Sequence, residues 1–475
     1  MTYMRFTVAI ALLLLIPVYL FAQEGYEHLS PVAHGAGRTY VVTSRGLSAV
    51  GLNPALITPD GNATWAISAF SSIGLDKAPS WTSDSLSSLF KPENGNIPLS
   101  RRIQLSDLLM NEKMSGRVDA QILGIEHIIE GLGTFAFTWT THIATRTVLS
   151  DDFLNFLKTY EAKITQQNGS YSDFDFQGMW YHEYTLTFGR ELFHTSDKED
   201  DFLRSFKGGV ALKYVAGTGY IGLDPGSYFN TRFGNGSATV DVNYRIRSAY
   251  TSDFDPSNVP TSFSFGFITN NQAGSGFGAD IGFEAGFFHN QHGGAVLSIA
   301  SSITDIGSIT WSVNASERVA DHLHDTIVYL QASNKDYSSA LGKKYGGTLT
   351  NVPSFTTSLP TMFRFGSMLD LDGAGMSIPW FASRAVMEYA AGLTDVVGSL
   401  AHPRLGFGLA LEHSSAIASL RAEAGYFIQS GQSDLTLGVG TTLFDLISID
   451  VSTAHLGDLL SGGRTDVSFV LRAQF

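Results

Sequence analysis

The stretch 466–475 (DVSFVLRAQF) constrains this chain more than any other. Val467, Phe469, Leu471, Ala473 and Phe475 fall on one side of a two-residue period, and Asp466, Ser468, Arg472 and Gln474 on the other. Val470 alone breaks the pattern. Side chains of a strand alternate between faces, so the segment has one apolar and one charged face. It fits the edge of a soluble β-sandwich. It fits equally a wall between lipid and a wet interior.

The opposite end separates these readings. Arg5 precedes an apolar run over 7–22 (TVAIALLLLIPVYLFA), and Ala22 offers a small residue before Gln23 and Glu24. That is the layout of a secretory signal peptide. As a spanning helix the run is short of the roughly 20 residues required, and Pro17 would disturb it. Cleavage is expected near Ala22. Later apolar runs are soon cut by Gly, Ser, Asp or His. An exported chain without a second membrane helix is either soluble or a closed barrel, which satisfies its backbone in lipid. With both ends considered, the aromatic terminus at Phe475 resembles the assembly signal of outer-membrane barrels. Phe469, Leu471 and Phe475 are the residues expected to carry it.

Composition agrees with a barrel. Glycine is abundant (49 residues), aromatics include 33 Phe and 18 Tyr, and charged residues are only 16%, where about a quarter is usual for soluble chains. The net charge is −14, and such a chain would repel nucleic acid. No cysteine is present, which removes thiolate-metal chemistry and the lipid attachment of a lipoprotein. No cofactor is expected.

Period-two segments recur along the chain. In 276–288 (GFGADIGFEAGFF) Phe277, Ala279, Ile281, Phe283, Ala285 and Phe287 alternate with Gly278, Asp280, Gly282, Glu284 and Gly286. The second face carries two carboxylates and should meet water rather than a dry core. In 180–188, Tyr181, Glu183, Thr185 and Thr187 form the polar face. Similar patterns occupy 134–148, 208–216, 238–246, 405–411, 417–427 and 435–443. Segments 130–133 and 430–433 read as hairpin turns. The expectation is an all-β fold, a transmembrane antiparallel β-barrel of about 14 strands. Trp139, Trp180 and Trp311 are placed in interfacial girdles.

Three stretches show helical spacing: 101–114, 153–164 and 317–330. In the third, Val319, Leu323, Ile327 and Leu330 repeat as on one helix face. Long loops of such barrels lie mainly outside the cell, so these loop helices are placed at the outer rim. Phe153, Leu157 and Tyr160 are the candidate ligand-facing residues. Within 321–325 (DHLHD), Asp321 and Asp325 would share a helix face while His322 and His324 point apart, and no metal site is expected. Neither a Gly-x-Ser-x-Gly elbow nor a phosphate-cradling loop stands out. The chain is not expected to be an enzyme.

Segment 35–58 (GAGRTYVVTSRGLSAVGLNPALIT) has a glycine-containing opening, small residues and then Asn53, Pro54 and Ala55. It resembles the start of the FadL-like superfamily of outer-membrane barrels, which includes PorV-type and uncharacterised branches. The strand at 278–282, the run 305–311 (DIGSITW) and Leu359-Pro360-Thr361 before 363–366 (FRFG) are similar to later stretches of that group. The acidic pair that often precedes Asn-Pro-Ala in the fatty-acid transporters is missing around Gly46-Leu47-Ser48. The resemblance implies a signal peptide at 1–22, a plug or hatch at 23–60 and a barrel at 61–475. It implies passive uptake of a hydrophobic small molecule, of the fatty-acid or hydrocarbon class. The alternative is a non-transporting barrel that docks exported proteins at the cell surface. Outer-membrane lipid and the barrel-assembly machinery are the expected partners. By residue chemistry, Pro54 holds Asn53 extended and removes a backbone donor, while the Asn53 side chain can bond locally.

Overall fold

The computed structural model describes residues 30–57, 64–77, 114–148, 169–171, 175–195, 202–234, 237–251, 272–289, 294–328, 346–400, 402–415, 417–429, 432–457 and 465–474. The first strands are β1 (Trp65–Lys77), β2 (Met114–Ile129), β3 (Gly133–Val148), the short β4 (Gly169–Tyr171) and β5 (Asp175–His194). Then come β6 (Leu203–Leu223), β7 (Tyr228–Gly234), β8 (Ser237–Tyr250), β9 (Gly274–His289) and β10 (Ala295–Trp311). They are followed by β11 (Ser316–Val328), β12 (Thr348–Asn351), β13 (Phe355–Ser358), β14 (Met362–Asp370) and β15 (Ala382–Gly392). The last are β16 (Arg404–Ser414), β17 (Ala418–Gln429), β18 (Gln432–Leu443), β19 (Ile447–Thr453) and β20 (Thr465–Gln474).

Fourteen of these close into an antiparallel barrel. The wall runs β1, β2, β3, β5, β6, β9, β10, β14, β15, β16, β17, β18, β19 and β20, and β20 pairs back onto β1. Closure leaves no open edge, which is what lets strands cross lipid.

The polarity of the wall is inside out. Phe277 and Leu212 are 74% and 68% exposed on the outer surface, with Ile281, Phe407, Leu437 and Val439 on the same side. Lys213, Arg364, Glu388 and Arg404 are buried within. A soluble core would be reversed. A strand with this alternation is stable where its outer face meets hydrocarbon and its inner face meets polar partners.

Connections alternate in length. At one end they are short, as at 130–132, where Gly131 at φ +74° lets Leu132 donate back to the Ile129 carbonyl at 3.0 Å. At the other most are long, and those after β3, β6 and β10 carry further strands of the same sheet. There the final turn of β6 pairs with β8, β8 with β7 and β11, β11 with β12, and β7 with β4.

One sequence expectation is overturned in that sheet. The helix expected over 317–330 is strand β11, paired with β8 from Ser316↔Ser248 to Val328↔Ser237. Apolar residues four apart satisfy a period of two as well as one of 3.6, so Leu323 and Ile327 fit either element. A bulge between Ala320 and Leu323, with His322 at φ +41°, resets the phase. The helical stretch at 153–164 and most of 101–114 lie outside the described residues; Met114 itself opens β2. The 1–22 segment also lies outside them.

The N-terminal plug fills the barrel. It comprises α1 (Pro31–Gly35), α2 (Tyr40–Thr43) and 3-10 turns at Gly46–Ala49 and Pro54–Leu56. Between them these pieces touch β17 to β20, then β10, β14 and β15, then β1 and β2, then β5, β6 and β9. Only a position inside the ring reaches all of these.

Candidate functional site

The plug meets the wall over two glycine floors. Gly189, Gly209 and Gly282 stand side by side in register on β5, β6 and β9. A β-carbon at Gly189 or Gly209 would strike the Pro54 carbonyl group, and one at Gly282 would strike the Asn53 side chain. Asn53, Pro54 and Ala55 therefore rest directly on wall backbone. Asn53 Oδ1 accepts from the Ala55 amide at 3.1 Å, and its Nδ2 donates to the Val41 carbonyl at 3.0 Å and toward that of Phe283 at 3.4 Å. Ser302 Oγ donates to the Leu52 carbonyl at 2.6 Å. The second floor is Gly408 and Gly425, paired on β16 and β17, beneath Ala36 and Gly37. Gly37, at φ +77°, donates its amide to Thr436 Oγ1 at 2.8 Å.

Ions make the other attachments. Asp466 of β20 accepts the Arg38 guanidinium and lies 3.0 Å from His34 Nε2. Arg38 also stacks over Phe427, 4.6 Å from the ring centre. Glu388 takes the Val41 amide at 2.5 Å and stands 3.5 Å from Arg404, which donates to the Arg38 carbonyl. Arg45 and Lys207 share Glu284, at 2.9 and 2.8 Å. Arg472 donates to Ser48 Oγ.

The face of β9 expected to meet water thus meets the plug and its neighbours. Asp280 and Glu284 are buried, each against a cation. A buried carboxylate is tolerable when paired, and pairing has replaced solvation here. At the centre, Lys213 Nζ reaches Asp305, Asp280 and Glu183 at 2.5, 3.0 and 3.3 Å. Alongside, Asp119 binds Arg117 Nε and His142 Nδ1, each at 2.6 Å.

Toward the long-loop end this polar interior gives way to an apolar layer. It joins Val215 of β6, Ile309 and Trp311 of β10, Phe355 of β13, Leu359 and Val397. Trp311 was expected at a lipid interface. It is instead fully buried, with Nε1 donating to Thr357 Oγ1 at 2.9 Å and its ring filling the space beside Gly217. The sequence period places Trp311 on β10 but cannot say which face of so twisted a rim is covered. Trp139 and Trp180 remain partly exposed and flank His182.

The seam that closes the ring is interrupted. β1 and β20 pair at Ile67↔Ala473 and again at Ile73↔Phe469, while residues 68–72 and 470–472 pass without pairing. Of the residues singled out at the chain's end, Leu471 is exposed on the outer face and Phe469 is half-buried. Val470, which broke the alternation, is buried. Phe475, Phe153, Leu157 and Tyr160 lie outside the described residues. Asp321 and His322 project from β11 into solvent, and among the described residues no three His, Asp or Glu are grouped to hold a metal.

The charged attachments, the glycine floors and the apolar layer went unread in the sequence. Their signal is a single charge set between apolar neighbours, as in Leu212-Lys213-Tyr214 and Phe363-Arg364-Phe365.

A closed ring of fourteen strands, apolar outside and stopped by its own N-terminal segment, defines a transmembrane β-barrel of the outer-membrane type. The chain belongs to the family described as "Family of unknown function (DUF5723)", which matches residues 54–443. No curated protein matches the sequence. Among solved structures it is similar to a deltaS2S3 mutant of TodX, a monoaromatic hydrocarbon channel, at 11% identity and a TM-score of 0.41, covering 95% of this chain and 98% of that one. TodX is a toluene transporter of Pseudomonas putida. The toluene transporter TbuX of Ralstonia pickettii is similar at 10% identity and a TM-score of 0.41, covering 95% and 98%. A Pseudomonas aeruginosa FadL homologue is similar at 10% identity and a TM-score of 0.37, covering 96% and 99%.

Proposed function

We propose that the barrel sits in the outer membrane and passes a hydrophobic small molecule inward, with residues 30–57 acting as a hatch. The observation that carries this reading is the apolar layer of Val215, Ile309, Trp311, Phe355 and Leu359, set at the long-loop end of a barrel whose inward wall is rich in buried charge. A polar lumen has no need of such a layer for its own hydration, whereas an apolar molecule entering from the long-loop end needs one to leave water. The plug beneath is held by hydrogen bonds and ion pairs. As water enters behind a departing plug, those ions are rehydrated, while the apolar contacts that Val41, Val42, Leu47, Val50, Leu56 and Ile57 make inside the ring must be given up. The unpaired stretch between β1 and β20 offers a place where the wall can part toward lipid.

The test is binding of a fluorescent fatty acid and of an aromatic hydrocarbon to the purified protein in mild detergent. Saturable binding of one class is expected, and Val215→Asp should weaken it while heat-modifiable gel mobility is unchanged. If neither class binds saturably to the wild type, the uptake reading is wrong.

A further inference from the structure

Between the plug and the wall lies a small cavity with an unusual charge balance. Leu47, Val50 and Gly51 close it on the plug side, and Thr138, Thr140, His142 and Glu183 face it from β3 and β5. Gly51, at φ +75°, has open space where a β-carbon would stand. The cavity has room for about one water-sized group.

Among the described residues, the carboxylates around it outnumber the Arg and Lys cations that meet them. Asp119 is matched by Arg117 at 2.6 Å. Glu183, Asp280 and Asp305 all share the one ammonium of Lys213. Glu183 is nine-tenths buried, and its two oxygens differ. Oε1 accepts from Thr185 Oγ1 at 2.7 Å and lies 3.3 Å from Lys213, while Oε2 has no hydrogen-bond partner. Leaving a buried carboxylate oxygen unmatched is costly unless something arrives to pair it.

We propose that this cavity binds a small monovalent cationic group of ammonium size, held by Glu183 Oε2 with the hydroxyls of Thr138 and Thr140 as further acceptors. The surplus of carboxylates supplies the attraction. The size of the space excludes anything bulkier than an ammonium or an alkali ion at this point. Leu47 and Val50 close the opposite side and leave no room for an alkyl stem, so the cation is a free one. An anionic head group is disfavoured by the same surplus. This site does not depend on the uptake reading, because it is tested by binding and not by passage.

The experiment is equilibrium dialysis of the full-length protein in mild-detergent micelles against radiolabelled rubidium. Potassium, ammonium, hexylammonium and hexanoate serve as competitors. Wild type should bind rubidium saturably, and Glu183→Gln should weaken it by about tenfold or more, the loss of one charge-assisted contact. Thr140→Val should weaken it less. Displacement by potassium or ammonium supports the site; displacement by hexylammonium alone would mean a larger opening and overturns it. Absence of saturable binding to wild type, unchanged affinity in Glu183→Gln, or displacement by hexanoate would overturn it. Should Glu183→Gln fail to give a heat-modifiable barrel, Thr140→Val decides, and unchanged affinity there overturns the site.

Discussion

Lys213 answers three carboxylates from three different strands, which makes it the residue on which the interior most depends. Replacing it with Met keeps the stem but leaves Glu183, Asp280 and Asp305 without their shared cation. Removing one member of a buried ion pair costs about 3–5 kcal/mol. Lys213→Met should therefore lower the unfolding free energy of the barrel in lipid vesicles by an amount in that range, read as a lower urea midpoint; an unchanged midpoint would mean the cluster is already hydrated. Gly209 is sensitive for the opposite reason. Its missing side chain is the space Pro54 occupies, so Gly209→Val should push the plug off its floor at a cost of about 1–3 kcal/mol. Faster protease cleavage within 30–57, with the wall still heat-modifiable, is the expected readout.

At the scale of elements, closure and decoration separate. β6 and β9 pair continuously from Leu203↔Phe287 to Gly217↔Gly274, and the sheet of β7 and β8 branches from β6 only beyond that point. Replacing residues 224–272 by a short turn should leave a folded, heat-modifiable barrel. Deleting Phe475, by contrast, removes the aromatic terminus expected to signal assembly, and assembled protein in outer-membrane fractions is expected to fall, since a ring that fails to close leaves unpaired backbone in lipid at several kcal/mol per group. The wall was legible in the sequence because its period of two is reinforced by polarity on every strand, as at Phe277 and Asp280. The rim was not. Leu323 and Ile327 satisfy both periods, and the bulge at His322 that decides the phase leaves no mark in composition. Nor could the sequence reveal that Gly189, Gly209 and Gly282 form one floor. Register across strands is a long-range property, and glycine in a strand reads only as a close approach by something unnamed.

For the whole molecule, the decisive relation is between plug and wall. The attachments to β10, β15 and β20 join residues far apart in sequence, so the plug is held by the closed ring. A hatch must leave that ring, at least in part, for anything to pass. The absence of native cysteine gives a clean background for holding it in place. His34 of α1 meets Ser452 of β19, with Nδ1 2.9 Å from Oγ, so the two side chains can be joined across the plug–wall contact. His34→Cys with Ser452→Cys should therefore be joined between α1 and β19 by oxidation or by a short reducible dithiol linker. The oxidised protein should keep its heat-modifiable barrel yet lose uptake of a hydrophobic probe into vesicles, and reduction should restore it. Uptake that persists at full rate in the cross-linked form would show that the plug need not move, and the hatch would have to be abandoned.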